Sequence, residues 1–163
     1  MKAIADKMPS LYESNRGKPM PSLNHGIIQA NIIILIGSLY ADKYRVISEL
    51  TTKLDEDKQV PYIAIYAKNN VHIRFNARKD QISTNEVPLG VIEILSPPQN
   101  FAELVDKSTS FFASGVKSYW LVVPPVQTVY VFSEPDEFEI FSKLDVLKDG
   151  QLGIELKLGE VFS

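Results

Sequence analysis

One short stretch of this chain is almost wholly apolar and is interrupted by a single charge: Val91-Ile92-Glu93-Ile94-Leu95-Ser96. Such a run reads as a strand buried on both faces. A carboxylate in its middle is costly unless it is paired, hydrogen-bonded or bound to a metal. Upstream, Ser22 or Asn24 opens a helix running to about Tyr40, and the apolar run Ile32 to Ile36 predicts its burial against a sheet. Tyr44 to Leu50 alternates as a strand, with Tyr44, Val46 and Ser48 on one face and Arg45, Ile47 and Glu49 on the other. Leu54 to Gln59 reads as a charged turn, its Asp55-Glu56-Asp57 cluster solvated. Val60 to Ala67 reads as a second strand, followed by an Asn69-Asn70 turn and a short return over Val71 to Phe75. Asn76 to Pro88 is polar and predicts a loop.

Downstream of the buried strand, Pro97-Pro98 blocks continuation. Asn100 with Glu103 resembles a capping box for a second helix, on which Phe101, Leu104, Val105 and Phe112 share a face and which Gly115 closes. Tyr119 to Val123 predicts another strand, stopped by Pro124-Pro125. Thr128 to Phe132 and Phe138 to Leu144 suggest a hairpin, Asp149-Gly150 a turn, and Ile154 to Val161 the closing segment. Residues 1–21, with Pro9, Pro19 and Pro21, read as an irregular arm packing on the body or on the second subunit of a homodimer; residues 22–163 form the domain. Antiparallel strands followed by a strand-helix-strand crossover predict an α+β fold with a mixed sheet.

Composition narrows the chemistry. The chain has 163 residues, enough for one well-cored domain. It has no cysteine, which excludes disulfides, thiolate metal sites and thiol catalysis. His25 and His72 are its only histidines, too few for a His-rich zinc site. A net charge of −3 argues against a strongly basic DNA-coating protein but leaves room for a small basic groove. No phosphate loop, dinucleotide fingerprint or serine nucleophile elbow is present. No signal-peptide stretch occurs, and Ile27 to Ile36 is too short for a span; a cytoplasmic protein is expected.

The ordered motifs carry a resemblance. His25-Gly26, Val60-Pro61 before Ile63-Ala64-Ile65-Tyr66, Val91-Ile92-Glu93-Ile94-Leu95-Ser96-Pro97, Asp106-Lys107, Gly115-Val116, Tyr119-Trp120-Leu121-Val122 and Pro124 resemble the Uma-like family of the PD-(D/E)XK restriction-endonuclease superfamily. The likeness covers about residues 20–162. It implies a restriction-endonuclease-like mixed sheet flanked by two principal helices, and magnesium-dependent cleavage of DNA. It also implies a metal-binding Asp after the strand-opening proline, a Glu in the next strand and a lysine beside them. Bound metal would activate the attacking water and offset charge. By this match Glu93 is the catalytic and metal-binding carboxylate. Lys107 takes the lysine position that has migrated to the helix, since Leu95 stands where many superfamily members keep that lysine.

The chain departs from the pattern where the metal should bind. After Pro61 comes Tyr62 in place of the Asp, and a phenol with a pKa of about 10 is neutral and a poor magnesium ligand. Val123 replaces the usual Asp before Pro124. Glu49 is a candidate substitute carboxylate or else a solvated strand-end charge. His25 is a candidate phosphate contact or a helix-start hydrogen-bonding residue. The expectation is a family member with impaired or lost cleavage, weak or absent magnesium binding, and activity restored by Tyr62→Asp. The alternatives are an active endonuclease using Glu93, Lys107 and a substitute carboxylate, or a non-catalytic oligomeric scaffold or binding module.

Overall fold

The computed structural model describes residues 8–55, 57–76 and 78–163. Residues 1–7 of the predicted arm, Glu56 of the acidic turn and Ala77 of the predicted loop lie outside the described residues. In chain order the elements begin with helices α1 (Leu11–Arg16) and α2 (Leu23–Leu39). Strands β1 (Tyr44–Ser48), β2 (Thr51–Leu54), β3 (Asp57–Gln59), β4 (Ile63–Ala67), β5 (Ser83–Thr84) and β6 (Gly90–Ile94) come next. Helix α3 (Phe101–Ala113) leads to β7 (Ser118–Val123), β8 (Thr128–Glu134), β9 (Glu137–Ser142), β10 (Val146–Asp149), β11 (Ile154–Lys157) and the short α4 (Leu158–Val161).

Six strands make the central sheet, in the order β1-β4-β6-β7-β8-β9. Its one parallel pair is β6 with β7, joined through α3; the other neighbours are antiparallel. This is the mixed α+β sheet that the pattern predicts. A crossover helix is what a parallel pair requires, and it carries α3 over the sheet beside Glu93.

Each face of the sheet has its own core. On one side α2 packs Ile28, Ile32 and Ile36 against Ile63, Ile65, Ile92, Ile94 and Val122, joined by Leu147, Ile154 and Leu156 of the β10–β11 hairpin. On the other, Leu104 and Phe111 of α3 meet Val91, Tyr119, Leu121 and Phe132. Asn100 caps α3 by accepting from the Ala102 backbone N–H, and the Tyr119 hydroxyl donates to the Leu104 carbonyl at 2.7 Å, pinning the helix to β7. All five residues of β6 are buried.

Several expectations differ in detail. Residues 11–16 of the predicted irregular arm form a helix, because Ser10 and Glu13 complete a capping box and Gly17 ends the turn at φ 63°. The predicted turn at 54–59 is a hairpin, β2 with β3, extended by β5 into a separate three-stranded sheet. Residues 71–75 form no strand, and residues 83–84 of the predicted loop pair as β5 with Thr51 and Thr52. Only one stripe of α2 is buried, with Leu23 and Ile34 exposed although the helix is apolar all round. On the inward face of α3 Leu104 and Phe111 are buried, Val105 and Phe112 pack partly buried against the same core, and Phe101 lies at the exposed start of the helix. No helix among the described residues is long and apolar enough to cross a membrane.

Candidate active site

Glu93 is fully buried on β6, and both of its carboxylate oxygens face ammonium groups. Lys107 Nζ lies 3.4 Å from Oε1. Position 107 follows Leu104 by three and precedes Phe111 by four, so its side chain leaves α3 on the sheet-facing side. The second cation is Lys18, whose Nζ donates to Glu93 Oε2 at 2.7 Å. Lys18 is 4% exposed, and the pair is buried inside the cleft.

Tyr62 is the other wall. The β4–β6 register pairs Ile63 with Ile92, so one step further Tyr62 stands opposite Glu93. The Tyr62 side chain is fully buried, and Lys18 Nζ sits 3.5 Å from its ring centroid. One ammonium thus joins the carboxylate and the aromatic face. A charge over a desolvated ring is worth about 2 kcal/mol.

His25, in the first turn of α2, meets Tyr62 edge-on, with ring centroids 4.1 Å apart. Its backbone N–H donates to Ser22 Oγ, while neither ring nitrogen has a hydrogen-bond partner among the described residues. The Tyr62 and Ser96 hydroxyl oxygens are likewise buried without a partner in regular geometry. Burial, reinforced by the positive Lys18, lowers the His25 pKa to about 4, so its ring is neutral at pH 7. Burial raises the Tyr62 phenol, opposed by the neighbouring Ser96 hydroxyl. For Lys18, burial outweighs the attraction of Glu93 and lowers the pKa to about 8.

Glu49 follows β1 at φ 54°. Its backbone N–H donates to the Tyr62 carbonyl, so it lies next to the site, yet its carboxylate is taken by Arg16 in an ion pair. Among the described residues, no group of three or more His, Asp or Glu side chains could hold a metal ion. Magnesium needs hard oxygen donors around it. The cleft offers one carboxylate, already engaged by two ammonium groups, beside an aromatic face. The residues present do not fit a divalent cation.

The sequence reading missed Arg16, Lys18 and Ser96. A signal for the first two was legible: Ser10-x-x-Glu13 is a capping box, and Gly17 is a helix-ending residue. Together they predict a turn of helix that reverses the chain just before Lys18. In the structure the Lys18 backbone N–H donates to the Glu13 carbonyl, the Met20 N–H to Glu13 Oε1, and the strap between α1 and α2 crosses the cleft.

This arrangement is a nuclease-type fold. The crystal structure of a putative nuclease belonging to DUF820 from Anabaena variabilis ATCC 29413 superposes with a TM-score of 0.76 at 25% identity, covering 88% of this chain and 83% of that one. No curated protein matches the chain. The family described as "Uma2: Putative restriction endonuclease" matches residues 15–158, and the chain belongs to that family.

Proposed function

We propose that this chain is a DNA-engaging member of the family whose metal-dependent phosphodiester cleavage is lost or severely impaired. The observation that carries the reading is a phenol ring beside Glu93, the two bridged by Lys18, which leaves one carboxylate where a hydrated magnesium needs more negative charge. Losing even an outer hydrogen-bond partner of a metal site costs roughly 10 to 100-fold in affinity or activity, and loss of a direct ligand costs at least that. The family's description as endonucleases supports DNA as the partner.

A basic groove supports it further. Arg16, Lys53 and Lys58 line an open groove of ≈ 570 Å³ with Ser14, Thr51 and Ser83. Lys53 and Lys58 are exposed on the β2–β3 hairpin and free to meet phosphates. On a chain of net charge −3 this is a local site for a polyanion rather than a general coat.

The test is fluorescence anisotropy with duplex DNA alongside a nicking assay in magnesium or manganese. Binding that weakens with salt and with the double substitution Lys53→Glu/Lys58→Glu, without strand breaks, is the expected result. Cleavage by the unaltered protein that disappears in Glu93→Gln would overturn the reading and establish an active endonuclease.

A further inference from the structure

The Tyr62 substitution and the Lys18 contact belong together. An aromatic ring presents its negative face to a compact monovalent cation but offers no donor atom to a hard divalent one. The Tyr62 ring is oriented to do the first, with the ammonium 3.5 Å from its centre. The same ammonium hydrogen-bonds Glu93 Oε2, one of the two oxygens this carboxylate could offer a metal, while Lys107 stands at the other. A cation bound at Oε2 and the Lys18 ammonium would compete for one volume and repel each other at contact distance.

The backbone is built to deliver this lysine. Gly17, in the left-handed conformation, turns the chain out of α1, and Pro19 and Pro21 stiffen the segment on the far side of Lys18. Arg16, next to the turn, is anchored to Glu49 and stacks within 5.0 Å of the Tyr12 ring centroid. Lys18 therefore enters the cleft from a braced segment and not as a wandering surface side chain.

We infer that Lys18 is the resident cation of this cleft, a covalently tethered replacement for the divalent metal, and that Tyr62 is its seat. The inference rests on the non-cleaving reading and deepens it. Tyr62→Asp alone then fails to restore a metal site: the new carboxylate and Glu93 would flank Lys18 and hold it more firmly. A metal site needs two changes, a carboxylate at position 62 and removal of the ammonium at position 18.

Titration calorimetry with manganese on four proteins tests this: the unaltered chain, Tyr62→Asp, Lys18→Met, and the double variant. Tight binding is expected in the double variant alone, at least about 10-fold stronger than in either single variant. Tyr62→Asp binding manganese as tightly as the double variant would overturn the inference while leaving the non-cleaving reading of the natural chain intact. Cleavage of DNA by the unaltered chain would defeat the reading itself. Should the double variant not fold, acetylation of the unaltered protein by acetic anhydride, mapped by mass spectrometry, decides the matter. Lys18 is expected to be shielded relative to Lys53, and equally shielded with manganese present. Labelling of Lys18 as fast as Lys53, or accelerated by manganese, would show that the ammonium does not hold the site.

Discussion

Lys18 Nζ lies over the face of the Tyr62 ring, 3.5 Å from its centre, so Tyr62 holds a cation by its π face. Tyr62→Phe keeps that face and removes a buried hydroxyl without a regular partner, so its stability should stay within about 1 kcal/mol of the natural chain. Tyr62→Leu loses the ring and leaves a partial cavity, and should cost about 2–4 kcal/mol. Urea denaturation of the two variants side by side separates the ring from the hydroxyl.

Removal of the Glu93 charge should be severe and pH-dependent. Glu93→Gln leaves Lys18 buried without its counter-charge, a loss of about 3–5 kcal/mol by analogy with broken buried ion pairs. A neutral amine needs no counter-charge. The natural Lys18 pKa of about 8 already includes the attraction of Glu93, and Glu93→Gln lowers it further, so the penalty should be largest on the acid side of that value and shrink as pH rises toward 8, above which the amine is neutral in both proteins. Denaturation midpoints of variant and natural chain on either side of it check this.

His25 predicts an acid-side loss. Its pKa is about 4 in the folded chain and about 6.5 unfolded, so between these values the unfolded chain binds the extra proton. Stability from this residue is complete above about pH 6.5 and is lost as pH falls toward 4, by about 3 kcal/mol in all. His25→Phe should flatten the stability profile across that window, read by denaturation at a series of pH values.

Asp149 ties the C-terminal hairpin to the sheet. Its Oδ2 accepts from Trp120 Nε1 at 2.7 Å and Ser118 Oγ at 2.6 Å, and its Oδ1 from the backbone N–H groups of Gln151 and Leu152. Asp149→Ala strands several buried donors and should cost about 2–5 kcal/mol. Trp120 is the only tryptophan, so its emission reports the change directly.

Much of this fold was legible because its signals are local. Ser22 before an apolar run, Asn100 after a double proline and the unbroken apolar strand around Glu93 each specify an element through neighbours in sequence. The approach of Lys107 to Glu93 was legible through family spacing, since helix period and the crossover place it. The turn that presents Lys18 was legible in the capping box and Gly17, but its partner was not, because Glu93 is 75 positions away and nothing in Gly-Lys-Pro says which carboxylate the ammonium will meet. The separate β2-β3-β5 sheet was missed for a similar reason: two-residue β5 has no periodicity, and only its pairing with Thr51 and Thr52 defines it. The burial of a single stripe on α2 was hidden by composition, since an uncharged helix does not reveal which side meets the sheet.

The shared hold of Lys18 on Glu93 and Tyr62 sets how many substitutions separate this cleft from a metal-holding one. Aspartate at position 62 with Lys18 retained yields a three-membered ion cluster, and loss of Lys18 with Tyr62 retained leaves a carboxylate beside an aromatic face. By the inference that Lys18 occupies the cation position, neither single change assembles a metal ligand set. By that inference Tyr62 and Lys18 act as one unit, and this sequence stands two substitutions, not one, from a cleft that could hold a metal.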